Sequence, residues 1–281
     1  MSEIELAAGL IEYSDRGHGP VLVFLHGVWM PGDVWDPVVT RLEGRFRCIV
    51  PTLPLGSHRR PMRPGADLSL PGYGALVEDL LDRLGLTGVT LIGNDHAAVL
   101  AAAVRRPQAV SRLVITSCEA FENYPPGRPG RSLRLAAIVP GGLLLAAAVL
   151  RLPLARRLLV SRGGLAKRPL PDAVVAGWFA PGHEDPRVLA DLRRYLAGSR
   201  RSQMVDLCSH LPEVAVPTLV IWTPEDRLQD PGHDRRLADL IPGAQLVELP
   251  DSHTLSMWDQ PERLAELVAS FAAAPLGTSP Q

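Results

Sequence analysis

The sequence predicts an α/β protein, with a mostly parallel central sheet flanked by helices and a helical cap set into it. Three observations predict this. Apolar runs of strand length alternate with segments of helical period at both ends of the chain. The alternation stops between Glu119 and Pro212, where helix-like pieces broken by Pro and Gly carry no strand signal. Polar residues fit for acid, base or nucleophile work (His26, Asp95, Glu119, Asp226, His253) each follow a strand closely. They therefore share the rim where an open parallel sheet binds ligands. The expected division is a core of residues 1–118 and 213–281 with a cap of 119–212.

In chain order, IELAAG and LIEYSDRG read as a short hairpin. VLVFLHG is a continuous apolar run, as in a strand buried on both faces. PGDVWDPVVTRLEG has helical spacing, RCIVPTLP is a second buried strand, and a loop rich in Pro, Gly and Arg covers Ser57 to Leu70. GYGALVEDLLDRLGL is an amphipathic helix, VTLIGND a strand, HAAVLAAAVRRP a helix and VSRLVITSC a strand. After the suspended stretch come TLVIWTPED (strand), GHDRRLADLIP (helix), AQLVELPDS (strand) and PERLAELVASFAAA (helix). PLGTSPQ is expected to fray.

Composition narrows the function classes. A formal net charge of -1 gives no attraction to nucleic acid. Basic residues are almost all Arg, with Lys167 the single lysine. The three cysteines, Cys48, Cys118 and Cys208, lack metal-ligand spacing. No Gly-rich phosphate loop, metal cluster or nicotinamide fingerprint occurs, so no cofactor and no metal are expected. MSEIELAAGL lacks a basic region followed by an apolar segment, which points to a cytoplasmic protein; separately, a monomer or homodimer is expected. Leu135 to Leu150 is uncharged and flanked by Arg, yet short for a span and broken by Pro140-Gly141-Gly142. It is expected to form buried helices of the cap, and no membrane partner is expected.

The chemistry centres on Gly93-Asn94-Asp95-His96-Ala97, at the tip of a strand turning sharply into a helix. An Asp before an alanine-rich helix can be an ordinary N-cap. The pattern small-x-nucleophile-x-small has a steric reason of its own, since strand and helix must approach closely at such a turn. With His26-Gly27, Asp226 and His253 in chain order, the sequence resembles the α/β-hydrolase fold superfamily over nearly its whole length, in the branch of haloalkane dehalogenases and epoxide hydrolases. That resemblance implies Asp95 as nucleophile, His253 as base and Asp226 as the orienting acid, with Glu119 as the alternative acid. It also implies an oxyanion hole from the backbone N–H groups of His96 and of Val28 or Trp29. Trp29, His96, Tyr124, Trp178 and Tyr195 are the expected substrate contacts. Two departures stand out: His96 occupies the position where dehalogenases place Trp, and Pro31 is displaced from the HG-x-P loop of epoxide hydrolases.

An aspartate nucleophile is ionised without a base and suits displacement at saturated carbon. The expected reaction is hydrolysis, by way of a covalent alkyl-enzyme ester, of a small to medium hydrophobic molecule: a haloalkane, an epoxide or a strained lactone or ester. Water is the co-substrate. Two other readings stay open: a lyase, cyclase or isomerase of specialised metabolism using Asp95 as acid or base, and a binding protein with an inactive site.

Overall fold

The computed structural model describes residues 1–105 and 108–275. The end of the helix predicted through Arg106-Pro107, and the tail beyond Pro275, lie outside the described residues. Eight strands form one sheet: β1 (Ser2–Glu5), β2 (Leu10–Arg16), β3 (Val21–Leu25), β4 (Arg47–Pro51), β5 (Val89–Asp95), β6 (Val110–Cys118), β7 (Thr218–Trp222) and β8 (Gln245–Glu248). Their spatial order is β1-β2-β4-β3-β5-β6-β7-β8. The hairpin β1-β2 and the β2-β4 pair are antiparallel, and every later pair is parallel. β5 lies mid-sheet and is buried at all seven positions, so its continuous apolar run meets helices on both faces.

Helices join the strands of the core. They are α1 (Asp36–Leu42), entered through a 3-10 turn at Gly32–Trp35, then α2 (Leu70–Arg83) and α3 (Ala98–Arg105). Between β6 and β7 come six helices: α4 (Gly127–Ile138), α5 (Gly142–Val149), α6 (Pro153–Arg162), α7 (Asp172–Glu184), α8 (Pro186–Gly198) and α9 (Arg201–Ser209). The chain closes with α10 (Pro231–Leu240), α11 (Ser256–Asp259) and α12 (Pro261–Ala273). Local chemistry sets several of these starts. Ser69 caps α2 by accepting the Gly72 N–H at 3.3 Å, ahead of Pro71. Asp185 caps α8 by accepting the Arg187 N–H at 2.9 Å, ahead of Pro186.

The helices between β6 and β7 are fastened to the core by buried polar contacts. Asp191 of α8 accepts the Met62 N–H at 2.7 Å and meets His58 Nε2 at 3.2 Å. The Ser57 hydroxyl donates to the Trp178 carbonyl at 2.7 Å. The Pro- and Arg-rich loop thus seats α7 and α8 above the sheet.

One expectation fails here. The uncharged stretch Leu135 to Leu150 is not buried: Leu135, Ile138, Leu144 and Leu145 are all more than half exposed. An eight-residue helix that is apolar on every side can turn only one face inward. In α5 that face is Leu143 and Ala147.

Candidate active site

β5 ends in a strained turn. Asp95 has φ 63, a conformation that L side chains rarely adopt. The His96 N–H closes the turn on the Asn94 carbonyl at 2.7 Å. A Cβ on Gly93 would sit 2.3 Å from Val99 Cβ of α3, so only glycine lets helix and strand meet there. On the other side, a Cβ on Gly27 would sit 2.0 Å from Asp95 Oδ2. Gly27 therefore leaves the space that the carboxylate fills.

Two donors hold that carboxylate. The Val28 N–H reaches Oδ2 at 3.1 Å, and the Gln229 side-chain amide reaches Oδ1 at 2.9 Å. Burial pushes the Asp95 carboxyl up to about 6 from its ordinary 3.8. The two hydrogen bonds oppose that rise, and the nearby Asp226 charge adds to it. At neutral pH Asp95 is mainly an anion, desolvated and fixed in direction.

The three N–H groups expected to supply an oxyanion hole have different partners. The Val28 N–H is aimed at Asp95, but the Trp29 N–H donates to the Leu55 carbonyl at 2.8 Å and the His96 N–H closes the turn. Gln229 supplies the second donor instead. It lies three residues after Asp226 on the predicted rim, which is the signal by which sequence could have found it.

Asp226 sits in a dense set of donors. Oδ1 accepts from the N–H groups of Leu228 (2.8 Å) and Gln229 (3.1 Å) and from the Thr254 hydroxyl (2.8 Å). Burial still raises its pKa, with these bonds opposing. Asp226 thus folds the loop that carries Gln229 to Asp95. The expected His253–Asp226 pairing is not formed in this structure. Thr254, not His253, faces Asp226, and its carbonyl is held by Asn94 Nδ2 at 2.7 Å. The His253 N–H donates to Asp259 at 2.9 Å, which fixes the loop that carries the ring. That ring lines a separate pocket with Lys167, Glu225 and Arg227, and its Nδ1 is buried without a partner among the described residues.

Glu119 stands closer to Asp95. Its N–H donates to the Asp95 carbonyl at 2.7 Å, and its carboxyl accepts from the Tyr195 hydroxyl at 3.3 Å. Burial, and then the Asp95 charge, push its pKa well above the usual carboxylate range. No hydrogen bond joins Glu119 to His253 among the described residues. Sequence reading also passed over Asp234, a buried carboxyl of α10 pushed well up by burial and by Asp226.

Asp95 and Glu119 open on an apolar cavity of about 260 Å³. Val28, Trp29, Tyr124 and Trp178 line it, with Leu133, Leu150 and Leu159 from α4 to α6 and the link between them. The Trp29 and Trp178 indole N–H groups are buried without an acceptor among the described residues. Two expected substrate contacts do not line the cavity. Tyr195 lies behind Glu119. His96 is stacked edge-on between Tyr73 (4.9 Å) and Tyr195 (4.8 Å), where its Nδ1 accepts the Ala98 N–H at 3.0 Å. Burial lowers its pKa to about 3, so the ring is neutral and packs as core. His26 is likewise neutral, lowered to about 4 by burial, and its Nε2 holds the Leu53 N–H at 2.7 Å.

This strand order, elbow and helical insertion agree with the family whose model matches residues 22–267, described as the alpha/beta hydrolase family. The chain belongs to the alpha/beta hydrolase family. Among relatives of this alpha/beta hydrolase is a cis-3-alkyl-4-alkyloxetan-2-one decarboxylase of Shewanella oneidensis, 28% identical over 86% of this chain and 78% of that protein. Another is haloalkane dehalogenase 2 of Mycobacterium bovis, 27% identical over 92% of this chain and 90% of that one. A crystal structure of an alpha/beta hydrolase fold protein from Burkholderia ambifaria superposes with a TM-score of 0.76 at 26% identity, covering 96% of this chain and 97% of that one.

Proposed function

We propose that this alpha/beta hydrolase is a cofactor-independent enzyme whose Asp95 carboxylate displaces a leaving group from a saturated carbon of a small to medium apolar substrate. The resulting alkyl ester is then hydrolysed. The observation that carries this reading is Asp95 itself: an anion at a strained turn, gripped by Val28 and Gln229, facing an apolar cavity. An ionised, desolvated carboxylate needs no base for the first step. Both named relatives fit such chemistry, because a haloalkane and an oxetan-2-one each carry an alkyl carbon bonded to a leaving atom. Haloalkane and strained lactone are therefore the favoured substrates. An epoxide is less favoured, since Tyr124 lines the cavity and Tyr195 does not. In the second step His253, its ring turned onto Asp226, takes a proton from water as the oxygen attacks the Asp95 carboxyl carbon. Val28 and Gln229 then hold the charge that develops.

That Thr254 and not His253 is bonded to Asp226 favours a second reading that needs no water. Asp95 opens an oxetan-2-one at its ring C–O carbon, freeing the carboxylate. That carboxylate leaves as CO2, its electron pair forms the alkene, and Asp95 departs unchanged. One experiment separates the two. Single turnovers in H₂¹⁸O with a haloalkane and with a 3,4-dialkyl-oxetan-2-one are followed by mass spectrometry of the Asp95 peptide. Label in Asp95 is expected for hydrolysis, with His253→Gln trapping the ester. Alkene and CO2 without label assign the lyase route. Turnover that survives Asp95→Asn overturns both.

A further inference from the structure

We propose that helices α4, α5 and α6 dock this enzyme on the surface of an anionic lipid bilayer. Nine of the twelve exposed large apolar side chains among the described residues lie between Leu135 and Leu158, with Leu145 and Leu154 each 67% exposed. Such a concentration is far more than the scattered exposure of an ordinary surface. These residues run through three consecutive helices and the short links joining them.

Charge selects the occupant. From Asn123 to Pro171 the chain has nine basic residues and no acidic one. Arg128, Arg131, Arg151, Arg157 and Arg162 are exposed and form no ion pair among the described residues. Beside them, a pocket of about 650 Å³ is lined by Arg157, Ser161, Lys167 and Arg168, with the Asp172 carboxylate paired to Arg156 at its edge. Apolar side chains beside uncompensated arginines match the acyl boundary and the anionic headgroups of a bilayer. A second copy is the poorer match, because a two-fold interface would set each arginine-rich face against itself. No helix among the described residues is long and apolar enough to cross a membrane, so this contact lies in the plane of the interface.

The same helices turn their inner side to the Asp95 cavity through Leu133, Ala136, Ala146 and Leu159. Docking would set the cavity wall against the phase in which an apolar substrate collects.

The test needs no substrate and is independent of the catalytic reading. The full chain is floated with vesicles of phosphatidylcholine alone or mixed with phosphatidylglycerol. Partition onto the anionic vesicles is expected, weakening as salt rises. Replacing Arg131, Arg151 and Arg157 by Gln should lower it by about a hundredfold, at roughly fivefold per charge. Leu145→Glu with Leu154→Glu, both solvent-facing, should abolish it while the thermal melt is unchanged. Equal partition onto both vesicle types, or full binding by the double Glu variant, overturns the proposal. So does a stable dimer, seen by light scattering, that the Glu pair breaks while the parent chain ignores vesicles.

Discussion

At the scale of single residues, burial of the Asp95 carboxyl makes folding depend on pH. The carboxyl binds a proton more tightly in the folded chain (about 6) than at its ordinary 3.8. The folded state therefore holds more protons between those values, and stability falls as pH rises through that window. The loss amounts to about 3 kcal/mol at neutral pH. Asp95→Asn should accordingly raise the melting temperature at pH 7 and lose that advantage near pH 4, which paired thermal melts would show. The new amide can be accommodated, because Gln229 Oε1 has no partner among the described residues and its side-chain amide can flip. On the proposed mechanism activity moves the other way, since there the anion is the attacking form. kcat/KM should rise as pH climbs through about 6. Gln229→Leu removes a donor to the anion, so this limb should move to higher pH by about one unit or more.

At the scale of elements, two glycines separate geometry from stability. Gly27→Ala would drive its Cβ into the Asp95 carboxylate, and Gly93→Ala would drive its Cβ into α3. Displacing the carboxylate by about 1 Å should cost at least about a hundredfold in kcat/KM. Forcing strand from helix should cost about 3 kcal/mol in denaturant unfolding. The elbow could be read from sequence because this crowding restricts residue types at Gly93 and Ala97, leaving a visible pattern. The alternation of strand and helix was legible for the same kind of reason, as burial on both faces demands continuous apolar runs. Gln229 left no such trace, because a loop amide obeys no period. Nor does composition say whether His253 or Thr254 faces Asp226: one residue of loop path decides it. The Leu135–Leu150 stretch announced its apolarity but not its direction, since α5 is apolar on every side.

At the scale of the molecule, the exposed helices depend on a few strong ties. Arg156 is the main one: it grips Asp172 through two hydrogen bonds and donates to the carbonyls of Leu150 and Arg151, joining α5, α6 and α7. Arg156→Met should speed hydrogen exchange across residues 150–172 while leaving β5 and β6 protected.

The placement of the six-helix insertion has a consequence for how such enzymes diversify. It leaves the sheet after β6 and returns at β7, which are direct neighbours in register from Leu113 to Thr116. Because the two strands are parallel, it leaves beyond the carboxyl end of β6 and re-enters at the start of β7, roughly 17 Å back along the neighbouring strand. A segment so anchored can be exchanged whole, as a cassette, without altering any strand pairing. Glu119, whose N–H is bound to the Asp95 carbonyl, must stay with the recipient, which must also offer partners to Asp191 and the Trp178 carbonyl as Met62, His58 and Ser57 do here. Grafting this cassette onto a sheet that carries the same elbow should transfer the substrate pocket and the arginine-rich surface together, as one heritable trait.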